Sequence, residues 1–172
     1  MSDEKRFFAS LLGIHLSEEP PVMQSLVPKR IANEIMNGKL PKFTPSTILL
    51  KQNEICHFMN KAALVVQKKE KMYKSRRNGA SYRITKGFTL HSGGSTTKPV
   101  EQVWYEYKEG VIFVTNKRII FVAPENGFEK RITDLTAIVP YTDAIALQFG
   151  NQTINVLLPD SGLISEVIRM VK

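Results

Sequence analysis

Few side chains in this sequence of 172 residues could carry out chemistry on their own. The single cysteine, Cys56, precedes His57, and the other two histidines, His15 and His91, are distant from both in the sequence. A cysteine nucleophile needs a base and an oxyanion-stabilising site, and neither has a sequence signature here. Because adjacent residues of a strand point to opposite faces, we interpret the pair as a buried thiol beside a surface imidazole. One cysteine excludes an intramolecular disulfide, and this set offers poor material for a structural zinc site.

The glycine-rich stretch Ser92-Gly93-Gly94-Ser95 is the second feature to test as a site. A phosphate-binding loop ends in Gly-Lys-Ser/Thr and follows an apolar strand, and this stretch has neither property. The sequence also has no nucleophile elbow, no metal-binding histidine pair and no spaced acid–base carboxylates. We therefore expect a protein that is not an enzyme and that binds no cofactor and no metal.

The net charge of +8 is concentrated in one segment of the chain. Residues 61–86 contain nine lysines and arginines and one acid, Glu70, whereas the other residues contain 15 bases and 15 acids. Such a concentration predicts an electropositive patch, although charge runs can also serve solubility alone. The candidate residues for binding an anionic surface are Lys68, Lys69, Lys71, Lys74, Arg76, Arg77, Arg83 and Lys86.

The first 45 residues have the pattern of a helical arm. Apolar spacing predicts a short helix over residues 4–12 and a second helix that begins near Pro28 and ends at Gly38, a residue suited to left-handed geometry. Because so few residues cannot bury a core, residues 1–45 are predicted to be an arm and linker, and residues 46–172 the domain.

From Thr47 onward, short apolar segments separated by turn signals predict a β-domain. Strands are expected at residues 48–50, 55–60, 62–69, 81–90, 103–107, 110–114, 118–122, 128–132, 135–139, 144–149 and 153–158, not all of them separate. Basic residues 68–77 and the small polar residues 92–97 are predicted to be loops. An apolar stripe beginning at Leu163 predicts a C-terminal amphipathic helix, capped by Asp160 or Ser161.

A tight polar turn between two apolar strands, Thr115-Asn116-Lys117, is the strongest fold signal. Thr115 can bond a neighbouring amide, Asn116 tolerates positive φ, and Arg118 can brace the turn with its five donors. These properties predict an architectural role for the turn before a role in binding.

Residues 54–158 resemble bacterial pleckstrin-homology-like and GRAM-like domains. The resemblance is carried by Gly110, by Thr115-Asn116-Lys117-Arg118 and the strand ending in Phe121, and by the upstream run 79–87. It implies a mainly β fold, an antiparallel β-sandwich or open barrel with a C-terminal helix, here preceded by the short helical arm.

That fold serves lipid binding, peptide binding and scaffolding alike, so several functions stay open. The leading hypothesis is a protein–protein interaction or self-association module, because two helices with apolar stripes must pack on something. The alternative is weak binding of anionic lipid or a membrane surface through residues 61–86, with about 1 kcal/mol from each base. Nucleic-acid binding, with Tyr73 and Tyr82 as stacking surfaces, is a further hypothesis. No apolar run approaches the roughly 20 residues of a membrane-spanning helix, so we expect a soluble cytoplasmic protein, with peripheral membrane association as an option.

Overall fold

The computed structural model describes the backbone of residues 20–85 and 88–172, and the side chains of these residues except those of residues 70–103. The predicted helix over residues 4–12 and the candidate residue Lys86 lie outside the described residues. The chain divides into two compact units. The first comprises Met1–Val66 and Tyr105–Lys172, and the second comprises Gln67–Trp104. The predicted boundary after residue 45 stays a prediction.

The described residues form a mainly β structure with a helix at its C-terminal end. Its α-helices and strands are α1 (Lys29–Met36), β1 (Cys56–Thr85), β2 (Phe88–Thr115), β3 (Arg118–Val122), β4 (Phe128–Arg131), β5 (Ala137–Pro140), β6 (Ala144–Phe149), β7 (Gln152–Leu157) and α2 (Ser161–Val171). The strands build one open antiparallel sheet in the order β4-β3-β2-β1-β7-β6-β5. The predicted fold class is confirmed at this level.

Two long strands replace several of the predicted short ones. The predicted loops at residues 68–77 and 92–97 are wrong, because both segments lie within strands, in β1 and β2 respectively. These two strands are hydrogen-bonded neighbours, and pairing between them outweighs the weak local preferences of lysine, serine and glycine. The strand predicted at residues 48–50 is also wrong, since this segment is irregular.

The hairpin formed by β2 and β3 is buried on both faces. Its register pairs Val111 with Val122 and Val114 with Ile119. Ile112 belongs to the main core, whereas the adjacent Phe113 belongs to a second cluster that includes Ile48 and Cys56. Successive side chains of a strand point to opposite faces, so burial on both faces explains the uninterrupted apolar run in the sequence.

The main core collects side chains from both halves of the sheet and from both helices. Leu163, Ile164, Val167 and Ile168 of α2 are buried, which confirms the predicted stripe, and α2 contacts α1, β5 and β6. Ile35 of α1 is 1% exposed in the same core. The described part of the predicted arm therefore packs against the protein's own sheet.

The ends of both helices follow the sequence signals in part. Gly38 has φ of +75° after the last residue of α1, as predicted for a left-handed helix end. Asp160 occupies the N-cap of α2 but makes no side-chain capping bond. The neighbouring Ser161 hydroxyl instead donates to the carbonyl oxygens of Tyr141 and Thr142, which joins the helix to the β5–β6 connection.

Substitution of Gly110 by alanine tests the close contact between β2 and β3. A Cβ atom at Gly110 would lie 2.3 Å from the carbonyl oxygen of Val122, a backbone atom that cannot rotate away. We expect Gly110→Ala to lower the free energy of unfolding by about 2 kcal/mol or more, measured by urea denaturation.

Gly162→Ala is the matched control, because a Cβ there meets no atom within 4 Å and the residue lies in α2. This control should stabilise the protein by about 0.5 to 1 kcal/mol. Equal stability of the two variants would contradict the close-contact explanation for Gly110.

Candidate functional site

The predicted anionic-surface residues follow one strand. Seven of the eight lie on β1, namely Lys68, Lys69, Lys71, Lys74, Arg76, Arg77 and Arg83. All seven belong to the second unit, Gln67–Trp104. Lys68 and Lys69 have exposed side chains. The structure thus brings these bases together along one strand, in place of the loop that the sequence predicted.

The second unit contains nearly all of the protein's net charge. Gln67–Trp104 has nine lysines and arginines against two acids, Glu70 and Glu101, which gives a net charge of +7. The first unit has 15 bases and 14 acids, a net charge of +1. Charge is therefore divided unevenly between the units, and only the second has the composition of an anion-binding element.

The first unit contains a buried ionic cluster beside the turn of the β2–β3 hairpin. The Arg118 guanidinium donates to both carboxylate oxygens of Glu54, from Nε to Oε1 at 2.7 Å and from Nη2 to Oε2 at 2.9 Å. The side chain of Glu54 is fully buried and that of Arg118 is 9% exposed. Arg118 also pairs with Glu129 at 2.8 Å and donates to the carbonyl oxygen of Leu49. The contacts of Arg118 with Glu54 and Leu49 join segments that are 64 and 69 positions apart in the sequence.

The same contacts shift the pKa values of the acids. Burial alone would raise the pKa of Glu54, but donors from Arg118, the Lys51 amide and the Thr115 hydroxyl lower it to about 2. Hydrogen bonds from Arg118 and then Lys51 lower the pKa of Glu129. The hydrogen bond to Glu54 raises the pKa of Arg118. The cluster is therefore fully ionised at neutral pH and stabilises structure, and it has no proton ready for transfer.

The turn residues of the hairpin act mainly as braces. Thr115 Oγ1 accepts from the amides of Lys117 and Arg118 and donates to Glu54, as the sequence predicted for a local bond. Asn116 does not use the predicted positive φ. Its side-chain amide instead links the Ile55 amide to the carbonyl oxygen of Asn53, and Asn53 itself has φ of +58°.

The predicted surface position of His57 is wrong. His57 is buried, and its Nδ1 lies 2.7 Å from the carbonyl oxygen of Pro41. The connector before β1 covers this strand, as shown by the bridge between Phe43 and Cys56. Cys56 is buried as predicted, and burial raises the pKa of its thiol to about 11, so it is held as an unreactive thiol.

Asn60 is a buried polar junction that sequence reasoning missed. Its Oδ1 accepts from the amide of Leu26 at 2.8 Å, and its Nδ2 donates to the carbonyl oxygen of Pro159 at 3.3 Å. An asparagine close to the apolar residues Phe58, Met59 and Ala62 is the sequence signal for such a junction. Asn60 thus links three segments: the residues before α1, β1 itself and the residues that lead into α2. This role is structural.

The described residues contain no group of three or more histidine, cysteine, aspartate or glutamate side chains placed to hold a metal ion. Within the same part of the chain, neither helix has the length and apolar composition that crossing a bilayer requires. Comparisons with protein-family models, curated proteins and solved structures give no match. The resemblance to pleckstrin-homology-like and GRAM-like domains stays a prediction from the sequence motifs.

Substitution of Glu54 by glutamine tests the buried cluster. Its folded-state pKa of about 2 lies below the ordinary value of 4.5, so ionised Glu54 stabilises the fold above about pH 5. This contribution is lost as the pH falls toward 2. Glu54→Gln leaves Arg118 without its buried carboxylate and should lower the free energy of unfolding at neutral pH by about 3 kcal/mol. Urea denaturation across this pH range measures both effects.

The variant should also show a flatter dependence of stability on pH between about 5 and 2. Glu34→Gln is the control, because Glu34 pairs with Arg30 on the exposed surface of α1, and its loss should change stability by less than about 0.5 kcal/mol. An unchanged acid slope in Glu54→Gln would show that other carboxylates govern acid stability.

Proposed function

We propose that this protein is a non-catalytic binding module and that its second unit binds an anionic, phosphate-bearing partner through the bases of β1. The observation that carries the proposal is the net charge of +7 in Gln67–Trp104, set against +1 in the first unit. Bases that serve only solubility can be spread over both units, so their concentration in one unit supports a binding role.

The position of the bases on a strand supports a binding role. The described backbone of the second unit consists of the two strand segments 67–85 and 88–104. A two-stranded hairpin by itself is marginally stable in water, and like charges along it repel one another. An anionic partner relieves this repulsion, so binding and stability of the segment favour each other.

The magnitude of the charge suffices for measurable affinity. Each base near an anionic surface contributes about 1 kcal/mol, and contacts to nucleic-acid phosphates add favourable counterion release. Both contributions fall steeply with salt, because the screening length is about 8 Å at physiological ionic strength. A salt-dependent, reversible interaction is therefore expected.

One argument for self-association, the leading hypothesis from the sequence, no longer applies to α1. That hypothesis rested on apolar helical stripes that needed a surface to cover them. The stripe of α1 packs on the protein's own core through Ile31, Ala32 and Ile35. The uneven charge therefore supports an anionic partner more directly than it supports a second copy of the chain.

The proposal is tested with a charge-neutralised strand. The variant Lys74→Gln, Arg76→Gln, Arg77→Gln removes three bases from β1. The matched control, Lys29→Gln, Lys39→Gln, Lys42→Gln, removes three exposed bases from the first unit. Binding is measured by sedimentation with vesicles of phosphatidylcholine and phosphatidylserine and by fluorescence anisotropy with labelled DNA, at about 50 and about 200 mM salt.

We expect the native protein to bind at least one of these partners at low salt and to lose more than about 10-fold in affinity at the higher salt. The strand variant should bind about 100-fold more weakly at low salt, whereas the control should stay within about 3-fold of the native protein. Absence of binding to both partners, or equal losses in the two variants, would reject the proposal.

A further inference from the structure

We infer that the partner is double-stranded DNA and that the two-stranded segment of the second unit lies in its major groove. This inference rests on the proposed function and names the class of partner. It depends on three features of Gln67–Trp104, namely its two paired strands, the distribution of its bases and its shortage of apolar residues.

The backbone of the second unit has a suitable width. Strands β1 and β2 are neighbours in an antiparallel sheet, and such strands lie about 4.8 Å apart. The major groove of B-form DNA is about 12 Å wide and about 8.5 Å deep, and it accepts a two-stranded β-ribbon. The minor groove of undeformed B-form DNA is only about 6 Å wide, so a ribbon enters it only where the duplex is bent or its groove is widened.

The bases are arranged as a line. Seven of them lie on β1 between Lys68 and Arg83, and a strand rises about 3.3 Å per residue, so they are distributed over a run of up to about 50 Å. One acid, Glu70, interrupts this run. A duplex carries about one negative charge per 1.7 Å of its axis, so phosphates are available along the whole length of such a strand.

The sequence of this strand argues against its insertion into a membrane. A strand that inserts one face into lipid needs apolar residues at every second position. Between Lys68 and Arg83, three of the bases fall at even-numbered positions and four at odd-numbered positions. Neither alternate set is apolar, so the strand lacks the pattern that would bury one face in lipid.

Two other nucleic-acid forms fit less well. Single-stranded nucleic acid is bound on a series of aromatic side chains, and the basic run contains only Tyr73 and Tyr82. Duplex RNA has a deep, narrow major groove that protein elements do not enter. B-form DNA is the form whose groove accepts a paired ribbon and whose phosphates face a line of bases.

The test compares four probes by fluorescence anisotropy and sedimentation. These are a DNA duplex of about 25 base pairs, one of its strands, an RNA duplex of the same sequence, and vesicles of phosphatidylcholine and phosphatidylserine. Displacement of the bound protein is then measured with methyl green, which occupies the major groove, and with netropsin, which occupies the minor groove.

We expect the DNA duplex to bind about 10-fold more tightly than each other probe, and methyl green but not netropsin to displace the protein. The slope of log affinity against log salt should become shallower by about 3 in Lys74→Gln, Arg76→Gln, Arg77→Gln. The variant Lys69→Gln, Lys71→Gln provides a second measure on the same strand, with an expected change in slope of about 2.

Each outcome bears on one proposal or both. Tighter binding to single strands, RNA or vesicles would overturn the DNA inference, and displacement by netropsin would overturn the placement in the major groove. Both results would leave anion binding intact. Binding to none of the four probes would overturn both. An unchanged salt slope in both strand variants, with native unfolding midpoints, would show that bases outside β1 make the phosphate contacts.

Discussion

The fully buried carboxylate of Glu54 is the interaction on which the first unit depends. A carboxylate removed from water is tolerated only when its oxygens are fully supplied with donors, and here Arg118, Thr115 and the Lys51 amide provide them. These donors come from the segment before β1 and from the β2–β3 turn. Arg118 also forms an ion pair with Glu129 on the edge strand β4, which extends the cluster to that strand. One buried charge thus holds the connector, the hairpin and the sheet edge in a single arrangement.

The two units differ in whether their charged side chains are balanced by opposite charges within the same unit. In the first unit the buried polar side chains of Glu54, His57 and Asn60 are paired, and the net charge is close to zero. The second unit has a net charge of +7, and its described backbone consists of two paired strands. Stability in the first unit comes from internal pairing, whereas the second has an excess of cations that an external anion can neutralise. This contrast is why the proposed binding element is β1 beyond residue 66.

Sequence reasoning succeeded where the deciding pattern is local. Strands β3 and β6, the stripe of α2 and the left-handed end of α1 all follow from periodicity or from one turn residue. The basic segment was equally predictable, since net charge needs only a count of residues. Its secondary structure was not. Lysine, serine and glycine have weak preferences, and pairing between β1 and β2 decides the conformation of residues 68–77 and 92–97.

The amino-acid sequence by itself determined the mainly β class, the apolar helix faces, the polar hairpin turn and the position of the net charge, because each depends on neighbouring residues. The tertiary structure alone decided which acid pairs with Arg118, since Glu54 lies 64 positions away. It also decided the burial of His57 and the junction at Asn60, whose partners Leu26 and Pro159 are 34 and 99 positions away. Such pairings follow from how the chain returns on itself, and no local pattern encodes them.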